Sequence, residues 1–205
     1  MALIKHGTNA LSNVTAFPSA VPTGKPVLLS TATASASSSI EFTLNSSYDI
    51  SYFEFINMHP QTDAVLFEFN GSTDSGSNYN VTKTTTFIDS AHKEDDTDTA
   101  FGYATGRDLA QSTSFQQISG WQLGNDTDHN ASGYLQLFNP SSSVFVKHFI
   151  SNMNMTNYNT WSASWQSLMA GYFNTTSPIT NLKFQMSSGN IDAGTIKMYG
   201  ISAWV

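Results

Sequence analysis

The sequence predicts an all-β protein, an antiparallel β-sandwich of jelly-roll or lectin type with a short N-terminal arm. Three observations lead there. Apolar residues alternate with polar ones over short runs, most strictly in Leu182-Lys183-Phe184-Gln185-Met186, as a half-buried antiparallel strand requires. The runs are separated by Ser, Thr, Asn, Gly and Pro, the residues of turns. The helices that parallel strands need as crossovers have no counterpart in the pattern.

Residues 1–25 read as an arm, broken by Pro18, Pro22 and Gly24-Lys25-Pro26, and residues 26–205 as one sandwich. The arm carries Leu3, Ile4, Leu11, Val14, Phe17 and Val21, more apolar groups than a free tail tolerates, so it is expected to dock on its own domain or a neighbour. Strands are expected at 27–31 and 40–44, then at 52–58 and 65–70. The turn residues His59-Pro60-Gln61-Thr62-Asp63 suggest that the latter two pair as a hairpin. A loop at 71–80, a Thr-rich strand at 81–88 and a solvated acidic loop at 89–98 follow.

Residues 99–132 show little pattern, although Phe115 and Trp121 need cover. A second hairpin is expected from 134–138 through Asn139-Pro140 into 144–150, and its likeness to the first suggests a pseudo-repeat. Trp161, Trp165 and Leu168 fall near helical spacing, which predicts a short helix over 158–168. Strands at 169–174, 182–186 and 196–205 close the chain, the last after a glycine-containing run that begins at Gly189.

The composition narrows the function. A formal charge of -7, with only 8 Lys and Arg against 15 Asp and Glu, repels phosphates and argues against nucleic acid as a partner. No apolar run approaches the roughly 20 residues that a bilayer core demands, and the start lacks a secretory h-region, so neither a membrane span nor a leader is expected. For that reason the Asn-x-Ser/Thr triplets, such as those at Asn45 and Asn174, are read as composition and not as glycosylation sites.

No reactive cluster emerges. The five histidines, His6, His59, His92, His129 and His148, sit in unrelated contexts without a nucleophile elbow, and His148 is expected to share a partly buried strand face with Val146 and Ile150. Glu54 and Glu68 lie on the two strands of the first expected hairpin and read as surface acids. The loop Gly124-Asn125-Asp126-Thr127-Asp128-His129-Asn130 spaces oxygen donors as Ca2+ loops do, which makes Asp126 and Asp128 weak candidates. It lacks the distal Glu of an EF-hand. No cofactor and no enzymatic activity are expected. Exposed aromatics would suit sugar rings: Tyr158, Trp161, Trp165, Tyr172 and Trp204 could build such a platform, with Tyr158, Trp161 and Trp165 as the stacking candidates.

Several segments bear on kinship: Met1-Ala2-Leu3-Ile4-Lys5-His6-Gly7, Ile40-Glu41-Phe42-Thr43-Leu44 running to Phe55-Ile56-Asn57-Met58-His59-Pro60, Gly133-Tyr134-Leu135-Gln136-Leu137-Phe138-Asn139-Pro140, and the stretch from Met186 to Ile201. In these the chain resembles virion structural proteins of tailed bacteriophages, marine phages in particular. The resemblance implies a non-enzymatic protein on the exterior of the particle, a tail, fibre or capsid-decoration element. Its expected partners are other virion proteins and copies of itself, a trimer by preference. A lectin-like module for a host-surface glycan is the alternative.

Overall fold

The computed structural model describes residues 25–157 and 162–202. The arm residues Leu3, Ile4, Leu11, Val14, Phe17 and Val21, and the aromatics Tyr158, Trp161 and Trp204, lie outside that range.

Among the described residues the chain is all-β, with no helix and with two antiparallel sheets packed face to face. The larger sheet holds eight strands. In spatial order they are β1 (Val27–Thr33), β12 (Ile191–Ile201), β3 (Ile50–Pro60), β8 (Ala131–Phe138), β9 (Lys147–Thr156), β10 (Ala163–Phe173), β5 (Lys83–Lys93) and β6 (Thr99–Tyr103). The smaller sheet is β2 (Ile40–Thr43), β11 (Asn181–Met186), β4 (Phe67–Ser72) and β7 (Gln116–Gln117). One β-sandwich results.

Period-two burial explains the layering. In β11 the alternate residues Leu182, Phe184 and Met186 are buried, as are Phe53 and Phe55 of β3, Phe67 and Phe69 of β4, and Phe149 and Met153 of β9. Phe184 is the hub where the sheets meet. Its ring lies 5.2 Å from both Phe53 and Phe55, and within 6.3 Å of Phe42, Phe67 and Phe69. Farther along, Phe69 meets Phe149 edge-on at 5.2 Å. These rings belong to one continuous apolar core.

Five sequence expectations change. The strands β3 and β4 do not form a hairpin, because β3 pairs with β12 and β8 in the larger sheet while β4 pairs with β11 and β7 in the smaller one. The turn after Pro60 carries the chain across the sandwich, so the Phe-rich faces of both strands meet in the core. With that hairpin goes the pseudo-repeat, since only β8 and β9 pair as expected.

The described part of the expected helix at 158–168 is strand β10, in which Trp165, Ser167 and Met169 point inward. The serine hides the alternation, yet it is satisfied there by donating its hydroxyl to the Ile118 carbonyl at 2.7 Å. The register of β9 is one residue off the expectation. Lys147 and Phe149 are buried and His148 is exposed, lying against Tyr172 with ring centres 5.8 Å apart. Finally, β5 runs on to Lys93, so the acidic loop is only the short turn between β5 and β6.

The closing strand shows why its glycine is placed where it is. Gly194 has φ of 123° at a break in the β3–β12 register, and a Cβ there would meet the Asn57 carbonyl oxygen at 2.8 Å.

Candidate functional site

Eight strands outreach four. The inner face of β5 extends past the smaller sheet and is covered by the connection from Ala104 to Gly124, whose backbone bonds β5 at Lys83, Thr85 and Phe87. Two buried amides fix that connection. Gln116 accepts a hydrogen bond from the Thr85 hydroxyl at 2.7 Å and donates to the Arg107 carbonyl at 3.0 Å, while Asn70 donates to the carbonyls of Tyr79 and Thr113 at 2.8 and 2.9 Å.

Beside this connection lies a cleft of about 590 Å³, lined by residues 100–107 with Asp89, Trp121 and Trp165. Its floor comes from inward positions of β5 and β10. The Arg107 guanidinium pairs with the Asp89 carboxylate and lies 4.4 Å from the Trp121 ring and 5.7 Å from Trp165. The two indoles stack at 5.1 Å. Gly120 is required there, because a Cβ would meet Trp165 at 2.5 Å and the Asp89 carboxylate at 3.1 Å. Burial lowers the Arg107 pKa, but the adjacent carboxylate neutralises its charge. What the cleft offers is a balanced ion pair and the rings of Phe101, Tyr103, Trp121 and Trp165, with the Tyr103 hydroxyl donating to the Asp108 carboxylate at 2.7 Å.

That geometry bears on the sequence candidates. Trp165 is only 9% exposed, stacked on Trp121 at 5.1 Å, and the cleft is where its remaining surface lies. Asp126 and Asp128 sit in an exposed loop. Asp126 faces His129 at 3.9 Å, and the His59 ring meets the His129 carbonyl at 2.6 Å. Among the described residues no cluster of three or more His, Asp or Glu could hold a metal ion. Glu54 and Glu68 lie on different sheets, each facing away from the shared core. Burial holds the Glu68 carboxyl above the usual range, opposed by its hydrogen bond from Gln185 at 2.8 Å.

Two features escaped the sequence reading. One is a pair of buried lysines at inward positions, Lys83 and Lys147. The Lys83 ammonium donates to the carbonyls of Val81 and Ser114, and burial pushes its pKa down to about 7. Lys147 donates to the Thr175 carbonyl at 3.1 Å. The alternation Lys147-x-Phe149-x-Ser151 was the available signal.

The other is the outer face of the larger sheet, where Tyr52 stacks on Tyr134 at 5.6 Å and leans on Tyr199 at 6.1 Å. Their strands were recognisable, but which strands lie side by side was not. Burial, and secondarily the Glu54 carboxylate, raises the Tyr52 phenol pKa, so it remains a hydrogen-bond donor.

The chain matches no family model, no curated protein and no solved structure.

Proposed function

We propose that this chain is a non-enzymatic structural component of a tailed-phage virion, an exterior tail, fibre or capsid-decoration protein that assembles with other virion proteins and with copies of itself. One observation carries the assembly reading: among the described residues, both ends of the eight-stranded sheet are open strands with exposed apolar side chains. At one end β6, Thr-Ala-Phe-Gly-Tyr, is exposed throughout, with Phe101 at 82%, and among the described residues it pairs only with β5. At the other, β1 pairs among the described residues only with β12 and exposes Val27 and Leu28, the latter at 53%. Neither strand carries the Lys, Pro or inward charge by which isolated proteins protect their edges. Strands of this kind add to the sheet of a neighbouring chain. The sequence segments that resemble tailed-phage virion proteins supply the particle context.

Native mass spectrometry of the full chain is expected to show a closed oligomer, which Phe101→Asp dissociates while leaving the monomer folded by circular dichroism. Peptide mass spectrometry of purified particles is expected to find the protein at a fixed ratio to the capsid protein. A chain that stays monomeric at assembly concentrations and is missing from particles overturns the reading.

A further inference from the structure

The outer face of the larger sheet carries a second kind of site, independent of the edge strands. Strand register places Tyr199, Tyr52, Gln136, Ile150, Ala170 and Thr86 in one transverse row across β12, β3, β8, β9, β10 and β5. A shallow cleft lies toward each end of the row. One, about 340 Å³, is lined by Pro26, Tyr52, Glu54, Gln136, Tyr199 and Ile201. The other, about 290 Å³, is built around Thr84, Thr86, His148, Ile150, Ala170 and Tyr172. At about 4.8 Å per strand the clefts stand about 14 Å apart, the span of a short oligosaccharide.

The chemistry of this face is consistent from end to end. Outward strand positions across it are mostly Tyr, Ser, Thr, Asn and Gln, with Ile50, Ile56, Ile88, Ile150, Leu168 and Ile201 set among them, and the fixed charges nearest the row, Glu54 and Lys197, face each other at 3.8 Å and cancel. This occurs on a protein with a net charge of -7. The polar side chains are pre-ordered: Gln166 donates to Asn152 at 3.1 Å, Asn154 to Ser164 at 2.9 Å and the Tyr199 hydroxyl to Glu54 at 3.3 Å. The large apolar side chains most exposed on its central strands, Ile150 and Leu168, are too few for the apolar centre of a dimer interface.

We infer that the row from Tyr199 to Thr86 binds an extended, uncharged polysaccharide that crosses the strands, with pyranose rings against Tyr52, Tyr199 and Tyr172 and hydroxyls on Gln136, Glu54 and His148. Phenol faces take the apolar side of a sugar ring, and amide, carboxylate and imidazole groups take its hydroxyls. Electrostatics selects the polymer, because an anionic chain would be repelled by the acidic molecule without finding an unpaired cation on the row.

Affinity electrophoresis of the full chain through gels containing dextran, mannan, laminarin or galactomannan, with alginate as the anionic contrast, tests this. At least one neutral polymer is expected to retard the protein, and alginate is not. Tyr52→Ala and Tyr199→Ala are each expected to weaken retardation about tenfold, as loss of a stacked ring does. Ala170→Glu, at an exposed position that cannot upset the core, is expected to abolish it at the other cleft. Unretarded mobility in every neutral gel, retardation by alginate alone, or retardation unchanged by Ala170→Glu overturns the inference. So does conversion of an oligomer to monomer by Ala170→Glu, which would make this face an interface between copies.

Discussion

Lysine 83 shows how a single buried charge reports on the whole fold. Below about pH 7 the folded and unfolded chains both hold its proton, so the cost of burying the ammonium is carried in full. Between about 7 and 10.5 the folded chain has released the proton and the unfolded chain keeps it, so stability rises with pH across that window. The ceiling on this contribution is on the order of 5 kcal/mol. Melting temperatures measured from pH 6 to 10 are expected to climb more steeply for the native chain than for Lys83→Met, whose curve loses this part of the slope. Phe184 makes the opposite case, an apolar ring in contact with five others. Phe184→Ala is expected to cost about 3–5 kcal/mol in urea unfolding, since both sheets would lose their common contact.

Individual strands differ in how openly the sequence declares them. β11 is fully legible because its alternation is unbroken and one of its faces is apolar. β10 is not, because Ser167 occupies an inward position that an alternation search assigns to the surface, and its hydrogen bond to Ile118 comes from a segment 49 residues away. The β3–β4 turn shows a further limit. Pro60 and its neighbours announce a reversal, but whether the next strand pairs beside the last or crosses to the other sheet depends on where Phe67 and Phe69 find cover.

Residues 99–132 were opaque because the segment is anchored by amides, Gln116 to Thr85 of β5 and Asn70 of β4 to Thr113, whose partners are brought together only by the fold. At β8, Gly133 faces the β9 backbone so closely that a Cβ would sit 2.2 Å from the Asn152 carbonyl oxygen, whereas nothing lies within 4 Å of one at Gly102. Gly133→Ala is therefore expected to lower stability by about 2 kcal/mol or more, and Gly102→Ala to leave it within about 0.5 kcal/mol, by chemical denaturation.

For the molecule entire, the fold class was readable and the candidate sites were not. Patterning fixes which side chains face inward, whereas a site on a sheet face needs the lateral order of strands. In this chain Tyr52, Gln136 and Tyr199 become neighbours only through pairings that span up to 147 residues. The two open edges differ in composition, so joining β1 of one copy to β6 of the next is a head-to-tail contact, which closes into a ring or runs on as a filament. Native mass spectrometry distinguishes the two by whether one stoichiometry dominates.

Strands β1 and β12 are antiparallel neighbours at one rim of the sheet, with Val27 opposite Gly200. A tether entering at β1 and a load leaving by β12 would thus pull on the same corner, along the direction of the ladder bonds, which break one after another like a zip rather than all together. A particle that hangs this protein by its first residues gains most strength if the strain is taken up across the opposite rim, at β6, far from that peelable seam.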